Sequence, residues 1–291
     1  MIRLNNNYVF DFAVASGALG FDGRGYWWEQ PFRWLGQLDP HQFLVITKTL
    51  TRHPRKGNLR WWCPWRCVRP VPGGFVNAVG LTNPGLDAWF KRYYHHVVAD
   101  ELAIAVSIAP ETPDDANWMA WRIMSSDGWQ CIKAIELNVS CPNTANAYET
   151  CKAAELMVKA MHPAGLPIIL KLGYQQPFFK ICMDLDGMVS AYDLINTVPW
   201  RDVYPCRPSP LAHLGGGGVS GEPIIYQAIR ALRLVKESGL VKTPIISGGA
   251  ITDFEQVKLR FKLGADAVAF GSIFLRHPTR PNTIVNQWRA S

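Results

Sequence analysis

Eight short, β-rich apolar runs recur along the chain, at residues 12–15, 43–47, 102–108, 134–138, 167–172, 192–196, 244–247 and 267–271. Each is closed by a glycine or a polar break. The runs are continuous rather than alternating, the pattern of parallel strands covered on both faces. Between several of them lie helical patterns, at 147–162, 223–238 and 253–263. Eight buried strands joined by helical crossovers predict a (β/α)8 TIM barrel. A length of 291 residues suits one such domain spanning 1–291, and a hydrophobic fraction of 48% can fill its core.

The spacing of the runs is uneven. Residues 48–101 separate the second from the third, punctuated by Pro54, Gly57, Pro64, Pro70, Pro72, Gly73 and Gly74. A second long connection, 197–223, follows the sixth run and contains Gly215, Gly216, Gly217 and Gly218. In a barrel both would leave the C-terminal ends of their strands, the face that carries active sites. They are therefore expected to be long active-site insertions after strands 2 and 6, roofing one site.

Composition excludes several classes. No stretch approaches the ~18 consecutive apolar residues of a membrane span, so no transmembrane segment is expected. The opening residues, Met1 to Tyr8, lack the basic-then-apolar layout of an export signal. Seven irregularly spaced cysteines then read as reduced thiols in a cytoplasmic protein. Cys63 and Cys67 lack a second ligand pair, so no metal is expected. A net charge of +7 favours anionic ligands without choosing among them. No appended basic domain points to nucleic acid. Six tryptophans fall within 27–65, interleaved with arginines, and read either as local packing or as a partner surface.

The glycines after the last two runs suggest an anion site. Ser247-Gly248-Gly249 and Gly271-Ser272 occupy the barrel positions that often cradle phosphate, and the stretch 217–221 would add further amides. The reacting groups lie elsewhere on the same face. The segment Glu136-Leu-Asn-Val-Ser-Cys-Pro-Asn-Thr144 places Asn138 at a strand end and Cys141 on the loop above it, as nucleophile, base or buried filler. Asn77, Asn138, Asn143 and Asn196 present amide donors and acceptors suited to a flat ligand rich in C=O and N–H groups, such as a pyrimidine. Lys48 and Lys171 end strands 2 and 5, where an ammonium would meet an anionic group.

With these residues in place the chain resembles the dihydroorotate dehydrogenase family over nearly its whole length. The resemblance is carried by Ala15-Ser16-Gly17, Thr47-Lys48-Thr49, Gly57-Asn58, 77–85, 136–144, Lys171, Ile195-Asn196-Thr197, 217–221, Gly248-Gly249 and Gly271-Ser272. It implies a flavoprotein that oxidises dihydroorotate to orotate in pyrimidine biosynthesis, with FMN as cofactor. By the same resemblance Cys141 is the base at C5, and hydride passes from C6 to flavin N5. Lys48 would touch flavin and substrate, and Lys171 would offset charge on the reduced flavin. Asn77, Asn138, Asn143 and Asn196 would hold the substrate with Gly80, Leu81 and Thr197. Ala15, Ser16, Thr197, Gly221, Gly248, Gly249, Gly271 and Ser272 would line FMN.

The family's quinone-using branch carries serine as base and an N-terminal extension. Cys141 and the short stretch before strand one resemble the soluble branch. That branch includes homodimers that use fumarate and enzymes that pair with an electron-transfer subunit to use NAD. The loop after Thr144 reads Ala-Asn-Ala-Tyr, where the family usually has proline and glycine. Three other readings stay open on sequence. They are another FMN-dependent dihydropyrimidine oxidoreductase, a dihydrouridine synthase, and a non-catalytic flavin-binding barrel.

Overall fold

A computed structural model describes residues 1–60, 62–139 and 151–291. The chain enters through an antiparallel hairpin, β1 (Ile2–Arg3) and β2 (Val9–Phe10). Two barrel strands follow, β3 (Phe12–Val14) and β4 (Leu44–Ile46). The first insertion contributes β5 (Val68–Val71) and β6 (Gly74–Asn77). The barrel resumes with β7 (Ile104–Ile108), β8 (Ile132–Asn138), β9 (Ile168–Leu172) and β10 (Ala191–Leu194). The second insertion supplies β11 (Val198–Pro199) and β12 (Gly218–Gly221), and β13 (Ile245–Ser247) and β14 (Ala267–Phe270) close the barrel.

The eight barrel strands run parallel, in chain order, and β14 pairs with β3 to complete the circle. Each falls on one of the eight apolar runs. Alternation along the strands separates two cores. Phe12 and Val14 face the layer of helices, while Ala13 between them joins an inner cluster. That inner cluster is rich in alanine (Ala13, Ala105, Ala134, Ala191, Ala267 and Ala269), which leaves room on the barrel axis. The hairpin fills it: Ile2, Leu4 and Phe10 are buried in the same cluster. The N-terminal amine donates to the Asp266 carbonyl at 2.6 Å and lies 3.3 Å from Asp11 Oδ1, so the hairpin seals the end where the strands begin.

The outer helices form where apolar spacing and capping agree. In Pro113–Met124, Thr112 Oγ1 accepts from the Asp115 N–H, and Ala116, Met119, Ala120 and Ile123 make the buried stripe. Of the helix expected at 147–162, Cys151–Met161 is described and residues 147–150 lie outside the described residues. The other two expected helices are Ile225–Glu237 and Phe254–Lys262. No helix among the described residues is long and apolar enough to cross a membrane.

The two insertions meet. Strands β11, β12, β6 and β5 form one four-stranded antiparallel sheet in that order. β4 and β10 are the second and sixth of the eight barrel strands and stand opposite each other, so a sheet built from both insertions spans the C-terminal mouth. Glycine permits the join. A Cβ on Gly218 would fall 2.2 Å from Thr197 Oγ1, and one on Gly221 (φ +90°) would fall 2.5 Å from the Gly73 carbonyl oxygen.

Candidate active site

Buried polar side chains cross the barrel at the mouth. Ser16 Oγ donates to the Thr47 carbonyl at 2.9 Å and lies 2.9 Å from Thr49 Oγ1. Thr49 Oγ1 lies 2.9 Å from Ser107 Oγ and accepts from Asn138 Nδ2 at 3.1 Å. Ser107 Oγ donates to Glu136 Oε1 at 2.6 Å. Lys171 Nζ lies 3.5 Å from Glu136 Oε2 and 2.9 Å from Asp193 Oδ2. The register explains the meeting, since Lys171 on β9 pairs with Asn138 on β8 and with Asp193 on β10.

Two carboxylates thus share one ammonium, all three buried. Burial pushes the Glu136 carboxyl up to about 7; Lys171 pulls it back and the Asp193 charge pushes it further. Burial alone would lower Lys171, but Asp193 and Glu136 outweigh it and hold the ammonium above the ordinary lysine value. Lys171 therefore stays charged at the mouth.

On the adjoining arc, the Ala15 N–H donates to the Phe270 carbonyl at 2.8 Å, and a Cβ on Gly271 would lie 3.5 Å from that of Ala15. The first and last barrel loops, the latter running on into Ser272, are thereby in contact. Lys48 is half-buried beside them. Its N–H donates to the Gly20 carbonyl at 2.8 Å and its Nζ lies 6.0 Å from the Phe21 ring centroid.

Asn196 is half-buried at the end of β10. Its N–H donates to the Leu172 carbonyl at 3.1 Å, and its Oδ1 accepts from the Thr197 N–H at 2.9 Å. Asn77, Gly80 and Leu81 belong to the roof rather than to barrel strands. Asn77 Nδ2 donates to the Gly218 carbonyl at 3.5 Å, and Gly80 (φ +68°) and Leu81 (φ +55°) make a left-handed turn after β6. Leu81 is a non-glycine residue in a strained backbone conformation. Cys141, Asn143 and the loop after Thr144 lie outside the described residues.

The glycine turn after β13 closes the mouth on the side of β10. The Gly248 N–H donates to the Leu194 carbonyl at 2.5 Å, and a Cβ on Gly248 would lie 3.6 Å from Asp193 Oδ1. Gly249 (φ +78°) and Ala250 (φ +58°) are both left-handed. Arg260 braces this turn from behind, donating from Nη2 to the Gly249 carbonyl at 2.9 Å and from Nη1 to Ser247 Oγ at 3.3 Å. The bare glycine backbone, a cation behind it and an ammonium at the mouth fit a ligand with an anionic phosphate and a polar ring.

Asn138 and Lys171, both expected from sequence, are neighbours here. Glu136, Asp193, Ser107 and Arg260 carry no role expected from sequence. The readable signal was a charge inside an apolar pattern: Asp193 within the run 192–196, and Arg260 three residues after Val257 on the buried side of its helix. Of the tryptophan cluster, Trp62 and Trp65 are exposed, whereas Cys67, nearby in the sequence, is buried.

The dihydroorotate dehydrogenase family profile matches residues 16–289. The catalytic subunit of dihydroorotate dehydrogenase B (NAD(+)) from Desulforudis audaxviator is 32% identical over 272 residues, covering 91% of this chain and 83% of the relative. The protein of that name from Geobacillus kaustophilus is 31% identical over 284 residues, covering 93% and 83%. Among solved structures, a ligand-free DHODH from Eimeria tenella superposes with a TM-score of 0.73 at 16% identity, covering 95% of this chain and 82% of that one. That likeness speaks for the barrel, and the sequence matches speak for the lineage. The chain belongs to the dihydroorotate dehydrogenase family, flavin-dependent enzymes that oxidise dihydroorotate to orotate in pyrimidine biosynthesis.

Proposed function

We propose that this single-domain chain binds FMN across the barrel mouth and uses Cys141 as the base in dihydroorotate oxidation. The observation that carries the reading is the buried Lys171, paired in register with Asn138 beneath the roof sheet. The flavin, when bound, supplies the acceptor for the hydride leaving C6 of the substrate. Cys141, once ionised to the thiolate, takes the C5 proton. Asn77, Asn138, Asn143 and Asn196 meet the ring amides and carboxylate, helped by Thr197 and the backbone of Gly80 and Leu81. Lys171 favours negative charge at the mouth. Lys48, Ala15, Ser16 and Gly221 hold the cofactor ring and ribityl chain, and Gly248, Gly249, Gly271 and Ser272 hold its phosphate.

Both curated relatives described above are named as catalytic subunits of an NAD(+) enzyme. We infer an electron-transfer subunit as partner, assembled on a homodimer of this chain in the cytoplasm.

The test is anaerobic reduction. Purified protein should carry a flavin spectrum that bleaches on adding dihydroorotate. Reoxidation by NAD only in the presence of an electron-transfer subunit would support the partner, and direct reoxidation by fumarate would overturn it. Cys141→Ala should keep the flavin and lose its reduction by dihydroorotate at neutral pH by about 10²-fold or more. A flavin that dihydroorotate leaves oxidised but dihydrouracil bleaches would replace the substrate. Full activity in Cys141→Ala would remove Cys141 from the base role.

A further inference from the structure

We propose that Arg260 is the buried counter-charge for the cofactor phosphate, acting through the Ser247–Gly249 turn to select a phosphorylated flavin over an unphosphorylated one. The inference rests on reading the turn after β13 as the phosphate site.

Arg260 is fully buried on the barrel-facing side of the helix Phe254–Lys262. Its partners are neutral dipoles: the Gly249 carbonyl oxygen at 2.9 Å and Ser247 Oγ at 3.3 Å. Its Nε is buried with no hydrogen-bond partner. Among the described residues no carboxylate forms an ion pair with it. The buried charges at the mouth, by contrast, are matched: Lys171 lies against Asp193 and Glu136. A guanidinium out of water without a counter-ion is costly, and such charges persist where a partner compensates them. Burial pulls its pKa down to about 10, which leaves it protonated at neutral pH.

The direction of its hydrogen bonds shows how the charge is transmitted. In a trans peptide the C=O and the following N–H point opposite ways. By holding the Gly249 carbonyl, Arg260 turns the Ala250 N–H away from itself, off the helix side of the turn. Ala250 has φ +58°, a conformation a non-glycine residue keeps only where its surroundings impose it. The guanidinium therefore polarises and fixes a strained turn whose outward face presents the Ala250 N–H. An anion on that face meets an oriented amide with a full positive charge behind it, in an interior that screens poorly. Arg260 is thus a positioning residue that acts through the peptide.

The experiment compares two ligands on flavin-free full-length protein. FMN and riboflavin are each titrated by fluorescence quenching at low and high salt. Wild type should prefer FMN strongly, with a preference that falls as salt rises. Arg260→Gln keeps a hydrogen-bonding side chain but removes the charge. It should weaken FMN binding about tenfold, leave riboflavin within about twofold, and flatten the salt dependence. Arg260→Lys restores the charge and should restore most of the preference. Equal weakening of both ligands, or an unchanged FMN-to-riboflavin ratio in Arg260→Gln, would overturn the proposal while leaving the phosphate site standing. A wild type that does not distinguish the two flavins would overturn the phosphate site itself. Should Arg260→Gln fail to fold, Arg260→Lys carries the measurement: a retained ratio supports the proposal, and a collapsed ratio with the charge present sinks it.

Discussion

Glu136 sits in an environment at odds with its ordinary chemistry. It is fully buried, accepts from Ser107, and shares Lys171 with Asp193. One ammonium between two carboxylates leaves an excess negative charge if both ionise, so a proton on Glu136 relieves it. Its pKa in the fold is about 7 against an ordinary 4.5, so the folded state holds that proton more tightly than the unfolded state does. The stability this contributes is complete below about pH 4.5 and is lost as pH rises through about 7. Glu136→Gln removes the titration and keeps an acceptor for Ser107. The variant should lose, between pH 5 and pH 8, on the order of a few kcal/mol of the pH dependence that wild type shows in urea unfolding. An unchanged slope would mean that Glu136 is ionised throughout. Asn138 could be read from sequence because it ends its apolar run, and Lys171 because it lies one residue from the end of its own. Asp193 sits inside such a run, between Tyr192 and Leu194, where a single sequence offers no way to know that Lys171 waits across the pairing.

At the scale of elements, the eight runs matched the eight barrel strands because a strand buried on both faces cannot avoid being apolar throughout. The hairpin carries no such signal, for the opposite reason. Strands of two residues, Ile2–Arg3 and Val9–Phe10, are shorter than any periodic window. Their importance lies in what they fill. The inward alanines would leave the barrel floor hollow, and Phe10 and Ile2 occupy it. Phe10→Ala should cost about 3–5 kcal/mol, the range for emptying a buried aromatic site, as measured by denaturant unfolding. Because the hairpin lies at the end away from the mouth, flavin affinity in the folded fraction should stay at the wild-type value. A Phe10→Ala protein as stable as wild type would show that the floor collapses without cost.

For the whole molecule the decisive event is the joining of two insertions that leave opposite sides of the barrel. Each could be read as roof material from its length and its glycines and prolines. Their pairing could not, since Asn77 and Gly218 are 141 residues apart and the strands they end or begin have four residues each. The join makes the roof a separate layer. Its strands pair with one another, and among the barrel strands the ladder is already closed without them. Damage to the join should therefore fall on the site before it falls on the fold. Gly218→Ala is the sharpest test, because its Cβ would lie 2.2 Å from Thr197 Oγ1 and 2.7 Å from Thr197 Cβ, and β12 or the Asn196-Thr197 turn must move. The expected outcome is a KM for dihydroorotate raised about tenfold or more, with melting lowered far less than in Phe10→Ala. The two variants form a crossed pair, one acting on stability at the floor and the other on binding at the roof. If Gly218→Ala instead melts as early as Phe10→Ala and leaves KM alone, the sheet is a load on the barrel's stability, and the substrate contacts assigned to Asn77 and Thr197 belong elsewhere.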